Sequence, residues 1–136
     1  MGDPAGVGPE LIWAVWEAFR DDDVALVAIG DSAVLAAAGG GRSIAPVEPP
    51  FELPFDPPSL RARGSALPVF SPGATSARYA PGRPSLEYAP AVIAAIETAV
   101  GLALSQAVDA VVTMPIAKSV LQQAGFAFPG HTEFLD

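Results

Sequence analysis

Three short stretches carry groups that could meet a ligand. The first is Gly2-Asp3-Pro4-Ala5-Gly6-Val7-Gly8-Pro9-Glu10. Its glycines let backbone approach a ligand closely, and a helix starting at Pro9 presents free N–H groups to an anion. The spacing is not that of a dinucleotide fingerprint or a Walker loop, and no Lys-Ser or Lys-Thr follows. The same glycines equally suit a tight connection into a helix with no ligand. The second stretch is Thr113-Met114-Pro115-Ile116-Ala117-Lys118. Thr113 offers a hydroxyl and Lys118 a charge suited to phosphate; the plain alternative is a solvated lysine on a short helix. The third is Gly130-His131-Thr132-Glu133-Phe134, which holds the single histidine. Pro129 and Gly130 make a turn, Thr132 can cap a following helix, and an imidazole beside a helix start can donate to a phosphate or carboxylate. A lone histidine is usually structural or simply exposed.

Other chemistries are poorly served. Metal sites usually take three protein ligands, and the chain has one histidine and no cysteine, so a metal would need residues from elsewhere. Disulfides are excluded. There is no Gly-x-Ser-x-Gly elbow, and one histidine supports no local hydrolytic triad. Asp21-Asp22-Asp23 reads as a solvated turn, and Glu48, Glu52 and Asp56 fall in a proline-rich loop. The formal charge of −8 opposes binding to a nucleic-acid backbone or an anionic membrane surface. Hydrophobic residues make up 51% and charged residues 16% of the chain, a composition that forms a core. No basic-then-apolar leader follows Met1, and no apolar run approaches the ~20 residues that span a bilayer. A cytoplasmic protein is expected.

The elements that must position these groups alternate between helix and strand. A helix follows Pro9, with Leu11, Ile12, Val15, Trp16 and Phe19 on one apolar face. Val24 to Ile29 reads as a buried strand. Asp31 or Ser32 can cap a short helix through Ala38, which Gly39, Gly40 and Gly41 stop. Short strands are expected around Ser43–Val47 and Leu67–Phe70. Between Ser43 and Gly82 prolines dominate, including Pro49-Pro50 and Pro57-Pro58. A second helix is expected from about Tyr88 to Gln106, with Pro90 in its first turn and Val92, Ile93, Ile96, Val100 and Ala103 as its buried stripe. Asp109 to Thr113 reads as another buried, parallel strand. Ile116 to Ala124 reads as a short helix ending at Gly125. The alternation predicts one layered α/β domain with a largely parallel sheet. Ligands of such sheets bind beyond the carboxyl ends of the strands, which is where the second stretch, following the strand that begins at Asp109, would lie. A Gly-rich loop with no strand before it, and a helix starting at Glu133-Phe134-Leu135, suggest a partial domain over residues 1–136, cut at both ends.

The three stretches occur in one order in a known family. Met1-Gly2-Asp3-Pro4-Ala5-Gly6-Val7-Gly8-Pro9-Glu10-Leu11 resembles the beginning of the 4-hydroxythreonine-4-phosphate dehydrogenases, just after their first strand. Asp109-Ala110-Val111-Val112-Thr113-Met114-Pro115-Ile116-Ala117-Lys118 is similar to that family's run before a short helix. Phe128-Pro129-Gly130-His131-Thr132-Glu133-Phe134 resembles its substrate-binding turn. Met114 and Ala117 depart from the family, which more often has a small and a polar residue there.

The resemblance implies an isocitrate-dehydrogenase-like α/β fold, a homodimer, and NAD-dependent oxidation of the C3 hydroxyl of 4-phosphooxy-threonine. Decarboxylation then gives 3-amino-2-oxopropyl phosphate in pyridoxal phosphate biosynthesis. By motif, His131 and Thr132 match the substrate-binding pair, with Lys118 as a lesser candidate; no catalytic residue is assigned. The divalent metal (zinc, magnesium or cobalt) would sit on histidines beyond this chain, as would much of the NAD site. The family's first strand and C-terminal half are missing from these residues, so the chain alone is expected to be inactive. Relatives acting on phosphorylated sugar acids or cyclic dihydrodiols, a phosphotransacetylase-like transferase and a non-catalytic truncated product are the competing readings. The Gly130-His131-Thr132-Glu133-Phe134 turn speaks against the transferase.

Overall fold

Pro9 has no N–H to leave unsatisfied and so sits comfortably in the first turn of a helix. Helix α1 spans Gly8–Phe19 and buries Ile12, Trp13 and Trp16. The computed structural model describes residues 1–48, 64–75 and 78–126. Strand β1 (Ala28–Ile29), helix α2 (Ser32–Ala38), strand β2 (Ile44–Pro46) and strand β3 (Leu67–Phe70) follow. A 3-10 turn at Leu86–Tyr88 leads into helix α3 (Ala89–Leu104), and helix α4 spans Lys118–Gln123. As expected, Pro90 lies in the first turn of α3, and Gly125 ends the last helix with a positive φ of 86°.

The sheet is parallel, in the order β1-β3-β2. β3 is central and short, and its neighbours are staggered along it. β2 pairs with its beginning (Ile44 with Leu67) and β1 with its end (Ala28 with Val69, Ile29 with Phe70). β1 is shorter than the Val24–Ile29 run, because its ladder to β3 is made by Ala28 and Ile29 alone among the described residues. The α/β layering and the parallel sheet agree with the expectation.

Two apolar clusters hold the layers. α1 and α2 bring Ile12, Trp13, Trp16 and Leu35 against Ala28, Leu67 and Val69 of the sheet, with Met1 and Met114 packed on their margin. Trp13 Nε1 donates to the Leu35 carbonyl at 2.8 Å, which locks the two helices together. The Arg42 guanidinium lies 5.5 Å from the Trp13 ring and pairs with Glu17 at 2.9 Å. The second cluster joins α3 and α4 through Tyr88, Ala89, Val92, Ile96 and Leu121, with Ala5 of the opening loop among them. The expected α3 stripe is right at Val92 and Ile96, with Ile93 and Val100 half-buried against the same cluster, and Ala89, Ala91, Ala95 and Leu102 complete the buried side. Leu86–Leu104 is, contrary to the expectation, long and apolar enough to cross a membrane by length and composition. It nevertheless carries Glu87 and Glu97, and its buried side packs into this second cluster.

Asp109–Thr113 is not a strand. All five residues are exposed, Val112 at 78%, and among the described residues they have no ladder partner. The hydrophobic run was read correctly as a run. A strand, however, requires a neighbour as well as a sequence. The opening of the chain meets the residues that follow this run. The Met1 amino group donates to the Ile29 carbonyl at 2.7 Å, and the Asp3 N–H donates to the Pro115 carbonyl at 2.9 Å. Met1 to Asp3 thus lie between the end of β1 and the segment that leads into α4.

Candidate functional site

The carboxyl ends of β1 and β3 gather four segments: the opening loop, Gly30–Ser32, Ser71–Thr75, and Thr113–Lys118. What binds them together is mostly backbone and small side chains. Gly2 has φ 77°, and a Cβ there would collide with the Pro115 carbonyl oxygen and with Met114. A Cβ on Gly8 would collide with the Met1 carbonyl oxygen and crowd Met114. These glycines therefore serve a close crossing of the first and second stretches. The departure at Met114 falls at this crossing, where its side chain packs against the first apolar cluster.

The opening loop is closed by its own aspartate. Asp3 Oδ1 accepts the Ala5 N–H at 3.0 Å, and the Asp3 carbonyl accepts the Gly6 N–H at 3.0 Å. Two N–H groups that could have faced an anion are consumed within the turn. A strap crosses the same turn: the Gly82 N–H donates to the Ala5 carbonyl at 2.7 Å, and the buried Tyr88 hydroxyl holds the strap at the Arg78 carbonyl. Within the strap, Tyr79 has its hydroxyl pKa raised by partial desolvation and by the negative charge of Glu10.

The sequence pointed to Asp31 only as a helix cap. The structure gives its carboxylate a wider role. Oδ1 accepts from Ala33 N–H at 2.8 Å and Val34 N–H at 3.2 Å, capping α2, while Oδ2 accepts from Thr75 N–H at 2.6 Å. Ser71 Oγ donates to the Gly30 carbonyl and accepts from the Ser32 N–H. Asp31 is 2% exposed, and each of its oxygens is engaged. It is a pin between the turn after β1 and the loop after β3. Ser71 and Thr75 were not singled out from the sequence, because a serine or threonine after a strand in a proline-rich region gives no signal until its partner is known.

Lys118 is the first residue of α4, exposed, at the same edge of the sheet as the opening loop. Thr113 is exposed as well. His131 and Thr132 lie outside the described residues. A hollow lined by Asp3, Tyr88, Ala89, Val92, Ala117, Val120 and Leu121 has room only for a water-sized group. Among the described residues no group of three or more His, Asp or Glu side chains comes together to hold a metal ion. The described part of the site is thus a braced edge, with Lys118 exposed upon it.

The fold and this edge define an open, parallel α/β protein of the kind that takes ligands beyond its strand ends. The model of the pyridoxal phosphate biosynthetic protein PdxA family matches residues 23–136, and the chain belongs to that family. It is 50% identical to the 4-hydroxythreonine-4-phosphate dehydrogenase of Caulobacter vibrioides, over 98% of this chain and 38% of that protein. It is 44% identical to the enzyme of the same name from Maricaulis maris, over 99% of this chain and 40% of that one. The crystal structure of a 4-hydroxythreonine-4-phosphate dehydrogenase from Burkholderia phymatum superposes with a TM-score of 0.80 at 31% identity, covering 99% of this chain and 40% of that one. The corresponding structure from Klebsiella pneumoniae gives 0.73 at 29% identity, covering 98% and 40%. The chain therefore spans about two fifths of the length of the curated relatives it matches.

Proposed function

We propose that these residues form part of an NAD-dependent dehydrogenase acting on 4-phosphooxy-threonine, and that His131 and Thr132 help to hold that substrate. The observation that carries the reading is the 50% identity to the Caulobacter vibrioides dehydrogenase along 98% of the chain. In the reaction, the C3 hydroxyl loses its proton and the C3 hydride passes to NAD. The β-keto acid so formed loses CO₂, and protonation of the remaining enol gives 3-amino-2-oxopropyl phosphate.

When bound, the nicotinamide accepts the hydride and a divalent cation polarises the oxygen at C3. The contribution of this chain in that reaction is framing and substrate binding. The braced edge of β1 and β3 fixes the turn after each strand, and Lys118 stands at that edge with a charge suited to the phosphate. His131 donates a charge-assisted hydrogen bond to a substrate phosphate or carboxylate, and Thr132 offers a hydroxyl beside it. In the reading as a whole the enzyme is a cytoplasmic homodimer.

A chimera tests this. The 136 residues replace the matching part of the Caulobacter vibrioides relative, and the purified protein is given 4-phosphooxy-threonine, NAD and a divalent metal. The expected result is reduction of NAD coupled to release of CO₂. A folded chimera that binds NAD but leaves this substrate untouched would overturn the assignment.

A further inference from the structure

We draw no further inference here: the strongest candidate, the open apolar edge beside Met1 between the residues that precede β1 and the exposed Asp109–Thr113 segment, carries nothing because nothing in the structure shows what covers it.

Discussion

Single residues at the strand ends divide into those that brace and those proposed to bind, and substitution separates them. Gly8 and Gly101 are both helical glycines, yet they should respond with opposite signs. A Cβ at Gly8 meets the Met1 carbonyl, whereas nothing lies within 4 Å of one at Gly101. Gly8→Ala should cost about 1–3 kcal/mol through overpacking. Gly101→Ala should stabilise by about 0.4–1 kcal/mol, since it only restricts the unfolded chain and favours the helix. Urea melts of both variants check the signs, and a neutral Gly8→Ala would mean that the crossing of the two stretches is loose. Asp31→Ala removes a cap worth about 0.5–2 kcal/mol and the hydrogen bond to the half-buried Thr75 N–H, worth a further ~0.5–1.5 kcal/mol. Asp31→Asn should fall between wild type and Asp31→Ala, because one side-chain oxygen survives to cap α2. His131 belongs to the other group. In the chimera, His131→Ala should lower kcat/KM about tenfold to a hundredfold, the equivalent of a charged hydrogen bond of roughly 1.5–3 kcal/mol. Its melting temperature should stay put; a large fall in melting temperature with catalysis intact would make His131 structural.

Elements were legible where their signals are local and obscure where they depend on a neighbour. Pro9, Asp31 and Gly125 announce helix ends through chemistry confined to a turn, and α1, α2 and α4 appear within a residue or two of expectation. β3 was readable to the residue because it is apolar and central. Val24–Ile29 and Asp109–Thr113 are just as valine-rich, but one is paired only at its end and the other not at all. Of the candidate site, the three stretches were legible as ligand candidates, while the crossing of the first two at Gly2 and Pro115 and the Asp31–Thr75 pin were not, since each joins residues far apart in sequence, 44 positions in the second case. The opening segment also gives a pH dependence. Burial of the Met1 ammonium against β1 lowers its pKa from 8.0 to about 6. A base that is weaker when folded leaves the unfolded chain holding more protons between those values. Its contribution to stability is then complete above about pH 8, is lost as pH falls towards 6, and levels off below. The span corresponds to roughly 2–3 kcal/mol. Nα-acetylation keeps an N–H for the Ile29 carbonyl but removes the titration. The acetylated chain should therefore be the more stable one near pH 6 and match the free amine near pH 9. Parallel stability curves for the two forms would show that the amine is solvated.

For the molecule as a whole, the decisive property is how much apolar surface the 136 residues leave uncovered. Leu104 is 81% exposed, Val112 78% and Leu86 50%, with Val7, Phe19 and Val24 each above 40%. Scattered single residues of this kind are ordinary on a protein surface; a contiguous patch is not. Leu104, Val111 and Val112 are close in sequence, on the last turn of α3 and the segment after it. The isolated chain should accordingly bind a hydrophobic dye and associate reversibly with rising concentration. It should also show no turnover of 4-phosphooxy-threonine, because it holds a single histidine and spans about two fifths of the length of its relatives. Replacing Leu104 with Glu and Val112 with Thr should suppress dye binding and association while changing stability by no more than ~0.5 kcal/mol, as is usual for exposed positions. Sedimentation at several concentrations and a melt of the double variant provide the comparison. A wild-type chain that is monomeric and dye-silent at every concentration would show that its apolar surface is already covered. Turnover on the order of 1 per second or faster by the isolated chain would place the whole active site within these residues, against the division of labour proposed here.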